Sequence, residues 1–156
     1  MKVSETVSTI LSSDGARGER TNVVAERTSF VGRDLDLARL GEALVFALPG
    51  NPVSVAVTFN LFARTALRVM QGAKAAMLPT DTAVLARDLK GSIDRESYLP
   101  GILRTDEKGT LLVEPLKWGG SSDFVAFARA AALINVPSGV GRIESGSSVK
   151  VLRLPS

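Results

Sequence analysis

The sequence predicts an α+β protein, the remnant of an α/β domain followed by a small antiparallel β-barrel-like domain. Two stretches and one compositional fact carry that expectation. Ala43 to Gly72 reads as a strand, a tight corner and a long apolar helix. Beyond residue 79 the text breaks into short strand-length runs separated by turn residues. A chain of 156 residues, 45% hydrophobic and 22% charged, has enough apolar material for one core or two small ones.

Residues 1–33 form a poorly defined N-terminal segment. Val3, Val7, Ile10 and Leu11 recur at helical spacing, but Ser and Thr surround them and residues 12–20 are turn- or coil-like. One short strand is expected around Val23 and Val24.

Residues 34–78 read as the C-terminal part of an α/β domain. Ala43 to Leu48 is a continuous apolar run, as in a strand of a parallel sheet covered on both faces. Pro49 cannot donate to a ladder and ends it. Gly50 takes backbone angles closed to other residues, Asn51 is a strong N-cap type, and Pro52 suits a first helical position. Along the helix Ser54, Thr58, Thr65 and Arg68 make one narrow polar stripe. Apolar residues fill most of the remainder, and Gly72 is the expected stop.

Residues 79–156 make the β-rich domain. Strands are expected over 82–88, 97–105, 110–116, 132–137 and 148–154. Asp106 to Gly109 reads as a hairpin loop, and Pro100 demotes its strand to an edge or a bulge. A short helix is expected from Phe124 to Ala132, capped by Ser121 or Ser122, with Asp123 favoured near its N-terminus.

A strand, a glycine corner and a helix N-terminus outline an anion site, because the first helical N–H groups are unpaired and the helix dipole favours negative charge. Gly50, Asn51 and Ser54 are its candidate residues. The same residues also make a well-capped turn with no ligand, and local chemistry alone favours that plainer reading. Gly120, Ser121 and Ser122 form a second candidate turn, which is more often a structural cap. The chain has no Cys and no His, which removes disulfides, Cys or His metal sites, Ser-His-Asp systems and imidazole acid–base catalysis. No catalytic residue or metal ligand stands out. Net charge is +3 with dispersed basic residues and 5% aromatics, which argues against a nucleic-acid partner. No apolar run is seen to approach the roughly 18 residues of a membrane span, and the start lacks a secretion signal, so a cytoplasmic chain is expected.

LPGNPVS, followed by FNLFARTALRVMQG, resembles the corresponding segment of the molybdopterin molybdenumtransferase family, which includes the E domain of gephyrin. DRESYLPGILRTDEKGTLLVEPLKWGGSSDF and then ARAAALINVPSGVGRIESGSSVKVLRL are similar to that family's C-terminal barrel-like domain, in the same order. The resemblance makes residues 34–78 the end of a molybdopterin-binding-like domain. It implies insertion of molybdate into adenylylated molybdopterin, with Mg²⁺ assistance and release of AMP, in a homodimer. Gly50, Asn51 and Ser54 would then face a phosphate or molybdate oxyanion.

Pro100 departs from the family, in which many members carry an arginine at that place. The resemblance begins near Leu40. The family's upstream glycine-rich loop, acidic residue and basic Lys/Pro stretch find no match in residues 1–33, so a truncated relative is expected. The alternative is a non-catalytic fragment acting as a scaffold or as an anion- or nucleotide-binding interaction module.

Overall fold

The computed structural model describes residues 26–30, 33–40, 43–117, 119 and 123–155. Val23 and Val24, where a strand is expected, lie outside them. Three strands come first: β1 (Glu26–Phe30), β2 (Arg33–Leu40) and β3 (Ala43–Ala47), in a sheet of that order. Both pairings are antiparallel, with Leu40 opposite Ala43. This corrects the parallel strand expected for the apolar run. Gly41 and Glu42 are all that separates β2 from β3, whereas a parallel pair needs a crossover of about a dozen residues. Nor is β3 covered on both faces, since Val45 is 43% exposed.

Helix α1 (Pro52–Met70) follows, with Phe59–Ala63 wound as a π-helical turn between two α-helical halves. Its stop is the expected one. Gly72 has φ 77°, its N–H donates to Val69 O, and Ala73 N donates to Arg68 O, closing the end with a left-handed glycine. The polar stripe is placed differently from its expected role as the helix's non-apolar face. Ser54, Thr58 and Thr65 are all buried, while Phe59, Leu67 and Met70 are exposed. Burial of Thr58 is possible because its hydroxyl donates at 2.7 Å to Ser54 O, one turn back. By length and composition α1 is apolar enough to cross a membrane, which the sequence reading did not anticipate; half of it is already covered inside the molecule, as in a core helix.

The remaining strands are β4 (Thr80–Leu85), β5 (Leu89–Lys90), β6 (Ser97–Thr105), β7 (Leu111–Pro115), β8 (Ala132–Val136), β9 (Arg142–Ile143) and β10 (Ser148–Arg153), with a short helix α2 (Phe124–Phe127) before β8. Five of these strands close a barrel in the order β10-β4-β7-β6-β8, and β5 pairs β9 in a separate two-stranded ribbon. All barrel pairings are antiparallel except β4–β7, which is parallel. The expectation of a purely antiparallel unit fails on parity, because a ring with an odd number of strands cannot alternate direction at every contact.

Pro100 sits on β6, which is paired on both sides, so its strand is not an edge. Its carbonyl accepts from Leu116 N, which points its missing N–H toward β7 just past the last paired residue, Pro115. The reciprocal bond to Leu116 O is the one that proline cannot make, and the β6–β7 ladder ends at this pair. The hairpin loop is as expected: Asp106 Oδ1 accepts from Lys108 N at 2.9 Å and Thr110 N at 2.7 Å, and Gly109 has φ 83°.

Two cores result. Ala83, Leu85, Val113, Ile134, Val136, Val149 and Val151 pack together as one core cluster of the barrel. Outside it Leu133 and Leu152, opposite each other across β8 and β10, form a platform with Leu78, Tyr98 and Phe127. Val53, Val57, Leu61 and Phe62 of α1 rest on that platform, so the helix is mounted on the barrel by its buried face.

Candidate functional site

The mounting fixes where the corner ahead of α1 points. Pro49 is buried, Gly50 and Pro52 are exposed, and Asn51 is half-buried between them. The first turn runs inward: Val53 is 1% and Ser54 is 3% exposed. Asn51 O accepts from Val55 N at 2.8 Å, the first bond of the helix. The backbone N–H groups of Gly50, Asn51, Val53 and Ser54 meet no acceptor among the described residues. These are the donors a helix start leaves over.

Two expectations for the corner need correction. Asn51 holds the N-cap position with extended backbone (φ −89°, ψ 129°), but its side chain makes no capping bond. Its Oδ1 is instead buried with no partner among the described residues. Gly50 is not among the glycines with positive φ, and a Cβ built on it meets nothing within 4 Å. Neither backbone angle nor crowding therefore demands glycine there. Residue type alone signalled both positions, and residue type does not specify which way a side chain turns.

The secondary candidates Gly120, Ser121 and Ser122 lie outside the described residues. Beside them the cap of α2 is Asp123 itself, not Ser121 or Ser122. Its Oδ1 accepts from Ala126 N at 3.0 Å and its Oδ2 from Gly119 N at 3.0 Å. Those two amides, Gly119 first, hold the Asp123 carboxyl below the usual carboxylate range. The helix spans Phe124–Phe127 and not the longer run expected, because Ala132 enters β8 and the chain must turn before it.

A polar cluster that the sequence reading missed lies beside the platform under α1. Glu96 Oε1 accepts from Tyr98 Oη at 3.2 Å and from Asn135 Nδ2 at 2.6 Å. Tyr98 and Asn135 are directly opposite in the β6–β8 register, so barrel pairing brings Asn135 to residues far from it in sequence. Burial, and then the charge of Glu96, push the Tyr98 hydroxyl above the ordinary tyrosine value of about 10. The folded state thus keeps a proton that the unfolded chain releases first, so stability is full below pH 10 and falls as pH rises past it. Tyr98 is the only tyrosine, which makes the test direct. Tyrosinate absorbance should appear only well above pH 10 and together with unfolding; a midpoint at the ordinary value would mean that the hydroxyl faces water.

Comparison with known proteins sets this arrangement in context. Residues 82–154, the barrel and its ribbon, match the family described as MoeA C-terminal region (domain IV). A molybdopterin molybdenumtransferase of Haemophilus influenzae is 28% identical over 121 residues, which cover 77% of this chain. Molybdopterin molybdenumtransferase 1 of Mycobacterium tuberculosis is 34% identical over 110 residues, 68% of this chain. Through its C-terminal part the chain is homologous to the C-terminal region of the molybdopterin molybdenumtransferase family. Among solved structures, a molybdenum cofactor biosynthesis protein of Pyrococcus furiosus superposes with TM-score 0.65 at 25% identity, covering 83% of this chain and 46% of its own. A molybdopterin biosynthesis MoeA protein of Pyrococcus horikoshii superposes with TM-score 0.58 at 23% identity, covering 76% and 29%, a likeness of fold. The chain spans only 30% and 26% of the lengths of the two sequence relatives. The helix-plus-barrel unit is therefore the MoeA-like part of an α+β fold.

Proposed function

We propose that this chain serves molybdenum cofactor biosynthesis as the C-terminal portion of a cytoplasmic, homodimeric transferase that inserts molybdate into adenylylated molybdopterin and releases AMP. Its C-terminal homology to that family supports the reading. The single structural observation that carries it is the set of amides at Gly50, Asn51, Val53 and Ser54 with no acceptor among the described residues. Fixed backbone dipoles of this kind stabilise an oxyanion without changing protonation, which suits a chain with no histidine. Phosphate and molybdate present the same oxygen-rich surface to such donors.

Mg²⁺ is implied by the resemblance, and it takes oxygen donors, chiefly carboxylates and phosphate oxygens. One or two carboxylates besides phosphate oxygens are enough to hold it, and Gly50, Asn51 and Ser54 supply none, so what this corner offers is amides and a hydroxyl. A second reading is that the chain binds the anion as a scaffold or interaction module without turning it over.

Binding of adenylylated molybdopterin with and without molybdate, followed by assay of AMP release, separates the two. Binding with release supports the transferase, and binding alone supports the module. No binding of molybdopterin, AMP or molybdate removes the corner from either account. Ser54 is buried, so its hydroxyl serves an anion only if that anion is seated against the helix end itself. Ser54→Ala is expected to weaken oxyanion binding by about 1 kcal/mol or more where the hydroxyl donates directly. Unchanged affinity would take Ser54 out of the site.

A further inference from the structure

On the side of the barrel made by the β5–β9 ribbon, Leu89 faces Ile143 and Lys90 faces Arg142. Leu89 and Ile143 pack against the barrel core, so their neighbours Lys90 and Arg142 lie on the outer face. Gly91 N donates to Gly141 O at 2.9 Å, which makes Lys90 and Arg142 the non-hydrogen-bonded pair of the ladder, where facing side chains stand closest. Two cations directly opposite each other disfavour the folded state. Arg142 is partly compensated by an ion pair to Asp88. Lys90 has no ion pair with any described residue.

A groove of about 440 Å³, bounded by Asp88, Leu89, Lys90, Gly141 and Arg142, opens at this pair. That volume falls within the range of small-molecule sites, roughly 300–1,000 Å³. Its frame is held on each side. Asp88 Oδ1 accepts from Ser145 N at 2.8 Å while its other oxygen holds Arg142, and Gly139 N donates to Ile93 O at 2.8 Å. The ion pair to Asp88 is the only one that engages Arg142 among the described residues, and it leaves the guanidinium on the same outer face as Lys90. The Ser145 amide, followed by Arg142, keeps the Asp88 carboxyl below its usual range, so this brace is charged at neutral pH.

We infer that this groove binds a small molecule bearing a phosphate or carboxylate group, with Lys90 and Arg142 as its clamp. The site is separate from the α1 corner and stands whether or not the transferase reading does. Asp88 already offsets the charge of Arg142, so an anion seated against the pair supplies the counter-charge that Lys90 lacks, with the ammonium as a point charge and the guanidinium as a directed donor.

Inorganic phosphate and acetate, titrated separately into the full chain and followed by amide NMR, test it, with chloride at matched ionic strength as control. At least one of the two anions should shift the Lys90, Gly141 and Arg142 amides saturably and beyond the chloride response. Lys90→Ala should weaken that binding about tenfold, the loss of one charge-assisted hydrogen bond, while thermal stability holds or rises. Lys90→Arg should retain binding. The inference is overturned if the shifts equal those in chloride, if Lys90→Ala leaves affinity unchanged, or if that variant melts at a lower temperature, which would make the lysine structural.

Discussion

Leu133→Ala is expected to lower stability by about 3–5 kcal/mol, the loss of a fully buried leucine together with the cavity it leaves. Leu133 is 0% exposed and belongs to the cluster that includes Val53, Val57, Leu61 and Phe62 of α1. It points away from the barrel interior, where its neighbours Ala132 and Ile134 go. The damage should therefore show in the helix as well as in the midpoint. Denaturant unfolding gives the magnitude, and hydrogen exchange should show α1 amides opening more readily while β4 and β7 amides, whose buried side chains belong to the barrel cluster and not to the platform, change less. A cost under about 1 kcal/mol would be too small for a leucine at a packed interface, and would show that the helix does not rest there.

Gly91→Ala should cost about 3 kcal/mol or more, at or beyond the usual cost of overpacking. A Cβ on Gly91 would lie 2.2 Å from Val140 O and 2.7 Å from Val136 Cγ1. The first obstacle is backbone, which cannot rotate aside as a side chain does. It is also tied, since Gly91 N donates to Gly141 O and Gly139 N to Ile93 O. The expected result is separation of β5 from β9 with the barrel retained, read as lost protection at the Gly91 and Gly139 amides. Wild-type stability for this variant would mean that the two segments do not meet as closely as the structure places them.

The barrel strands were legible because each carries its own alternation and its own stops. β10 is the plainest case: Val149 and Val151 face the barrel core, Ser148 and Lys150 face out, and Ser148–Arg153 falls within the predicted span. The ends of α1 were legible for the same local reason, a proline at the first position and a left-handed glycine after the last turn. At the corner the sequence marked Gly50, Asn51 and Ser54, and folding distributes them over different depths, exposed, half-buried and buried. Local residue type carries no information about that depth. Glu96, Tyr98 and Asn135 went unnoticed because Asn135 lies 39 residues from Glu96 and no local pattern links them. The like-charged Lys90–Arg142 pair was invisible for the same cause, since only the ribbon register sets one against the other.

By itself the sequence determined the α+β class, the strand-rich second half, the helix with its capped ends, and kinship with the molybdopterin molybdenumtransferases. All of these rest on periodicity, punctuation and order along the chain. Tertiary structure alone decided the direction of β3, the parallel β4–β7 contact and the burial of the Ser54–Thr58–Thr65 stripe. It also decided which charges meet outside the barrel. Those outcomes depend on how the ring of strands closes and on what then lies opposite what, and ring closure is a property of the assembled barrel that no segment carries in its own residues.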